Sequence, residues 1–183
     1  MRLCNRKLQP HHSRRSDEMK TSMSVCTLFL FAALFMAVNT DQAYAGWHEW
    51  SQNSRNQAIV DETANYNEGD DGGECKVWVQ NVVNDASGSW LIPTNSSNDC
   101  YWNYGAYVSP RSGYIEDVVP GEIVQMELSS GGPHTAIVLG ISPYGVTFIE
   151  SNWCKPCHEI HVRYVNFDDF YDQVSCFTIY EVL

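Results

Sequence analysis

Cys75 follows Gly72-Gly73-Glu74 and opens the run Lys76-Val77-Trp78-Val79-Gln80-Asn81-Val82-Val83, in which Cys75, Val79, Val82 and Val83 recur at helical spacing. The pattern predicts a helix entered through glycines, with the cysteine in its first turn. Unpaired backbone N–H groups and the helix dipole at such an end favour negative charge, so a thiol placed there ionises more readily than a free one. That is the chemistry of a nucleophile. A lone cysteine can equally be a small buried residue or a disulfide partner, and the nucleophile reading therefore requires a base.

His134 supplies a candidate. It opens the predicted strand His134-Thr135-Ala136-Ile137-Val138-Leu139 directly after Ser129-Ser130-Gly131-Gly132-Pro133, a turn in which glycine allows close approach of backbone and substrate. The next strand, Gly145 to Asn152, returns through Ser142-Pro143-Tyr144. If Ile141 faces Gly145, Asn152 falls opposite His134 and Glu150 lies one step diagonal on the same face. A carboxylate and an amide are the side chains that commonly orient an imidazole through its second nitrogen. A register error of two would exchange their roles. The expected site is thus Cys75, His134, Glu150 and Asn152, and its chemistry is acyl transfer to a thiol. Thiolate attacks an acyl carbon, backbone N–H groups near Cys75 hold the oxyanion, His134 protonates the departing amine, and hydrolysis follows.

The elements that must position these residues are legible in outline. Residues 47 to 62 place Trp47, Trp50, Ser54, Ala58 and Asp61 at helical spacing and predict a helix with Trp47, Trp50 and Ala58 on its buried stripe. Asn65 to Glu74 is polar and glycine-rich, a loop. Asn84 to Val119 is irregular and aromatic, with Trp90, Tyr101, Trp102, Tyr104, Tyr107 and Tyr114. From Pro120 the pattern turns to strands: Glu122 to Leu128, His134 to Ile141, Gly145 to Asn152, Ile160 to Asn166 and Cys176 to Leu183. His161 and Arg163 alternate with Val162 and Tyr164 and are assigned to a solvent face. Helices first and strands afterwards predict an α+β domain with N-terminal helices packed on a C-terminal antiparallel sheet.

Residues 1 to 45 read differently. Arg2, Arg6, Lys7, Arg14, Arg15 and Lys20 precede an uncharged apolar run from Val25 to Val38, which ends in Ala43-Tyr44-Ala45. The run is short for a membrane span, which takes about 20 residues, and fits a secretory signal cut after Ala45. Translation starting at Met19 or Met23 would suit it equally. The expected organisation is a signal segment at 1–45 and one catalytic domain at 46–183, secreted or periplasmic, with no stable membrane span once the signal is removed. Five Lys and Arg then face nineteen Asp and Glu, a formal balance of −14, which argues against nucleic acid as a partner. Five cysteines remain, Cys75, Cys100, Cys154, Cys157 and Cys176. In an oxidising compartment an odd number leaves one thiol over.

The stretches GGECKVWVQ at Cys75, VVPGEIVQM at Val118, GGPHTAIVLG at His134 and GVTFIESNW ending at Trp153 together resemble the cysteine- and histidine-dependent amidohydrolase/peptidase (CHAP) family of the papain-like superfamily. They occur in the family's order over about residues 70 to 155, and it is the ordered set that is specific. The resemblance implies a papain-like fold and cleavage of peptidoglycan amide bonds, either between muramic acid and L-alanine or within the peptide stem. It makes Cys75 the nucleophile, His134 the base and Glu150 the residue that orients it, with Asn152 beside it. Some members bind Ca²⁺ just before the catalytic cysteine, which makes Asn65, Asn67, Asp70 and Asp71 a weak candidate loop; no other cofactor is expected. A catalytically inactive papain-like domain that only binds cell wall is the alternative from another class.

Cys154-Lys155-Pro156-Cys157-His158 has the spacing for covalent haem attachment but lies between two predicted strands without haem-wrapping helices, and a disulfide-bearing turn is the better reading. As zinc ligands the pair lacks a second pair. A thioredoxin-like role would require a βαβ context. The cluster Tyr101-Trp102-Asn103-Tyr104 suits a sugar- or peptide-binding groove or a core.

Overall fold

The computed structural model describes residues 5–6, 46–88, 108–153 and 157–183. Its architecture is α+β, with two helices preceding most of an antiparallel sheet. The sheet order is β1-β7-β3-β4-β5-β6, and β2 also pairs with β7. The strands are β1 (Asn5–Arg6), β2 (Val108–Arg111), β3 (Ile123–Leu128), β4 (Pro133–Ser142), β5 (Gly145–Ser151), β6 (Ile160–Asn166) and β7 (Val174–Val182). The five strands expected from the sequence are β3 to β7 within a residue or two at each end. β2 falls in the stretch expected to be irregular, and the aromatic cluster at Tyr101 to Tyr104 lies outside the described residues, as do Cys100 and Cys154.

The expected helix over 47–62 is broken in two. A 3-10 turn covers Trp47–Glu49, and helix α1 runs Gln52–Thr63. Ser51 interrupts them because its hydroxyl accepts the N–H of Ser54, making it the N-cap of α1. The buried stripe is accordingly carried by Ile59 and Asn56, with Trp47 buried ahead of the helix and Trp50 and Ala58 only packed against the core. Helix α2 (Cys75–Ala86) begins at the cysteine, as the spacing predicts, and buries Cys75, Val79, Val82 and Val83 together with Trp78. A third helix, α3 (Phe167–Gln173), lies between β6 and β7. Asn166 caps it by accepting the N–H of Asp169 at 2.8 Å.

The sheet is buried on both faces. One core joins Ile59 of α1 and Trp78, Val79, Val82 and Val83 of α2 to Ile123, Ile137, Ile149, Ile160 and Tyr180. The other joins Val124, Met126, Ala136, Val138, Phe148, Phe177 and Ile179 to Phe170 of α3 and Ile115. The period-2 alternation of strands divides neighbouring residues between these two cores. Gly121, at φ +87, lets the chain into β3 pass directly over α1, since a Cβ there would sit 2.5 Å from the Asn56 Cα.

The β4–β5 hairpin turns tighter than expected. Ser142 pairs with Gly145, so the loop is the two residues Pro143 and Tyr144, and Ile141 faces Val146 rather than Gly145. Leu139 then bulges out, and beyond it the offset is the one the sequence analysis assumed: Val138 faces Phe148 and Ala136 faces Glu150. The two departures cancel in the half of the hairpin that carries His134 and Glu150.

Candidate active site

The segment that presents Cys75 is fastened to β5 and β6. Gly69 N–H donates to Ile160 O, Gly72 N–H to His158 O and Ile160 N–H to Asp70 O, each at 2.7–2.9 Å. The buried Ser151 hydroxyl reaches Gly73 O at 2.7 Å. Gly72 is required here, since a Cβ would lie 2.5 Å from the Ser151 Oγ. Cys75, 3% exposed, thereby opens α2 beside the start of β4 and is a free thiol. Cys157 and Cys176 are disulfide-bonded.

His134 is fully buried near the start of β4, opposite Met126 of β3. Its Nε2 lies 3.0 Å from Glu150 Oε2. With Nε2 so engaged, Nδ1 is the nitrogen left to act on Cys75; it makes no hydrogen bond among the described residues, and the influence of the two groups on each other is electrostatic. Burial opposes the charged forms of both groups, and their mutual electrostatic attraction overcomes it. Burial alone would push the Cys75 thiol up, but His134, together with the backbone N–H groups of Thr135 and Lys76, holds it below its ordinary value. Burial likewise disfavours the imidazolium, yet Cys75 and Glu150 raise His134 to about 9. Burial would also raise the Glu150 carboxyl, and His134 and Arg163 keep it below the usual carboxylate range. The arrangement favours a thiolate–imidazolium pair backed by a carboxylate.

Of the four residues singled out from the sequence, Cys75, His134 and Glu150 come together. Asn152 makes no hydrogen bond with any of the three. The register carries it toward His134, but β5 ends at Ser151 and Asn152 takes φ +61, outside the extended backbone of the strand. Its Nδ2 donates instead to Glu74 Oε2 at 3.0 Å, on the residue before Cys75. His158, also at positive φ (+52), approaches the same carboxylate at 3.5 Å.

Arg163 is not on the face that the strand alternation predicts. It does not lie on the solvent face of β6: Val162 and Tyr164 are the exposed residues there, and His161 and Arg163 are half-buried. Arg163 Nε donates to Glu150 Oε1 at 2.6 Å, and its guanidinium carbon sits 3.5 Å above the centre of the Trp153 ring. Trp153 in turn meets the His134 ring edge-to-face, 5.2 Å between centroids. Neither Arg163 nor Trp153 was singled out from sequence. The signal for Arg163 was a charged residue two places from the partner of Glu150 in an alternating strand, legible only once the β5–β6 register was known.

In the candidate cation loop, Asn67 Nδ2 donates to Asp70 and Asp71 accepts the N–H of Gly73. Cys157, Glu159 and His161 bring three ligand types within 4.8 Å of one another, but the sulfur of Cys157 is committed to a disulfide. No helix among the described residues is long and apolar enough to cross a membrane.

No family model matches the chain, and no curated protein matches it. Among solved structures it is similar to that of Ly7917 with the hydrolyzing product of MDP, at 20% identity over 70% of this chain and 62% of that one, TM-score 0.46. A second structure of Ly7917 matches at 18% identity over 71% of this chain and 62% of that one, TM-score 0.41. The chain thus spans less than two thirds of the length of either. Both likenesses lie below a TM-score of 0.5, and the functional reading rests on the site itself.

Proposed function

We propose that this chain is an exported cysteine hydrolase that cleaves amide bonds of peptidoglycan, with Cys75 as nucleophile, His134 as acid and base, and Glu150 as the residue that orients His134. The observation that carries the reading is a buried histidine held through Nε2 by a buried carboxylate, beside a buried free thiol at the start of α2 that it holds below its ordinary value. A structural cysteine has no need of such a partner. The substrate class is supported by the ordered resemblance of four stretches to the CHAP family, three of which contribute Cys75, His134 and Glu150.

In the reaction, the Cys75 thiolate adds to the acyl carbon, the C–N bond breaks, and the departing amine takes the proton from His134. His134, now neutral, accepts a proton from water, and the resulting hydroxide attacks the thioester. The acyl group leaves as a carboxylic acid, and thiolate and imidazolium are restored. Glu150 fixes the ring and stabilises its charged form throughout. Asn152 acts one residue removed, on Glu74, and helps fix the segment that presents the thiol. The reading is tested by incubating purified 46–183 protein with isolated cell walls and analysing the products by mass spectrometry. New L-alanine amino ends with free muramic lactyl carboxylates, or new ends within the stem, are the expected products. Release of saccharide reducing ends alone would refute the proposal.

A further inference from the structure

We infer that Arg163 is a positioning residue of this site, because one guanidinium fixes both the Glu150 carboxylate and the Trp153 ring against His134. The inference rests on the reading of Cys75 and His134 as nucleophile and base. Glu150 has no exposed surface and divides its oxygens: Oε2 lies 3.0 Å from His134, while Oε1 accepts from Arg163 Nε at 2.6 Å. A second guanidinium nitrogen reaches Oε2 at 3.5 Å. The carboxylate therefore cannot rotate without losing contact on one side. The guanidinium face covers Trp153 at 3.5 Å, and that ring abuts His134 at 75°. Arg163 is itself steadied at the far end, where Nη1 donates to Gln173 of α3 at 3.3 Å.

The strand registers explain how the row assembles. Ala136 faces Glu150, and Phe148 faces Arg163, so His134, Glu150 and Arg163 descend diagonally across β4, β5 and β6 on one face. The charged and titratable groups acting on His134 are Cys75 from α2 and Glu150 from β5; Glu150 receives His134 and Arg163. β3 places the uncharged Met126 opposite His134. The Arg163 charge thus moderates the field of Glu150 on the Cys75–His134 pair. Removing that charge leaves the site more negative, which disfavours the thiolate and favours the imidazolium. Lysine would keep the charge but not the planar fork or the stacking face.

The test is the pH dependence of Cys75 alkylation by iodoacetamide, followed by mass spectrometry of the Cys75 peptide in wild type, R163Q and R163K. The alkylation measurement requires no cell-wall substrate; the R163K arm adds wall hydrolysis. In R163Q the acid limb should move upward by about one pH unit, the size expected for loss of one nearby opposite charge. In R163K it should stay near the wild-type position while wall hydrolysis at the pH optimum falls, by up to about 10²-fold, the loss that a misplacement of about 1 Å causes. An unmoved limb in folded R163Q overturns the inference. If R163Q does not fold, R163K decides: hydrolysis equal to wild type overturns it. A wild-type Cys75 with the reactivity of an ordinary thiol would instead refute the underlying reading of the nucleophile.

Discussion

The side-chain amide of Asn152 donates to Glu74, the residue immediately before Cys75, at 3.0 Å. This contact separates two polar residues that the sequence places side by side on one strand. Glu150 touches the imidazole, and Asn152 touches the segment that carries the thiol.

Asn152→Ala should therefore cost less activity than Glu150→Ala, and should cost stability as well. A side chain other than Asn or Gly at φ +61 is strained by about 1 kcal/mol. Urea denaturation should show that loss in the alanine variant, while Asn152→Gly removes the Glu74 contact without the backbone strain. Equal destabilisation by both would locate the effect in the Glu74 contact alone.

Glu150→Gln should retain the ring's orientation but lose its charge. The raised value of His134 then falls, and the alkaline limit of activity moves to lower pH. We expect at least about a 10²-fold loss in kcat, the scale of a misoriented or mistuned base, and reduced stability because Arg163 is left without its counter-charge. A pH–rate profile with an unmoved alkaline limb would contradict this role.

Stability against pH follows from the paired shifts. His134, raised from 6.5 to about 9, contributes stability that is full below 6.5 and lost as pH rises through about 9. Cys75, held below 9.0, contributes stability that is full above 9.0 and lost as pH falls through its lowered value. Above 6.5 and above the lowered value of Cys75, and below about 9, the folded pair and the unfolded chain each hold one proton, on His134 and Cys75 respectively, so the two slopes cancel. Wild type should show a plateau there. Cys75→Ser abolishes the Cys75 slope and leaves only the part of the His134 slope that Glu150 sustains, so any decline with rising pH should be shallower and end below about 9. Glu150, held low by His134 and Arg163, adds a loss at acid pH, below about 4.5. Urea titrations at half-unit intervals check all three slopes.

Cys75 should be the one cysteine of 46–183 that iodoacetamide labels without reductant. The remaining four are expected to form two disulfides. Peptide mapping decides both points, and a label on any other cysteine in place of Cys75 would contradict the parity argument.

What the sequence conveyed followed the range of the forces involved. Helix α2 and strands β3 to β7 were legible because their apolar spacing is local, and so was the nearness of His134 and Glu150, which depends on a single hairpin. Even there the assumed turn differed from the tight Pro143-Tyr144 loop, and the Leu139 bulge restored the offset. α3 was passed over although Asn166 ahead of Asp168 and Asp169 is a capping pattern. Arg163 was misplaced because alternation alone does not say which set faces inward, and the charged set would ordinarily face out. What reverses that preference is the buried Glu150 on the neighbouring strand, a fact that belongs to the β5–β6 register. Asn152 was placed by extrapolating a strand past its last residue; its left-handed backbone has no sequence signal beyond the tolerance of asparagine for that conformation.

The most direct test of the central claim compares wild type, Cys75→Ser and His134→Ala on the same isolated cell walls, with far-UV circular dichroism confirming that all three fold. The account predicts new amino and carboxyl ends from wild type at neutral pH and a loss of at least about 10³-fold in both variants, the scale set by removing a nucleophile or its base. Wild-type levels of amide cleavage by Cys75→Ser would show that the thiol is not the nucleophile.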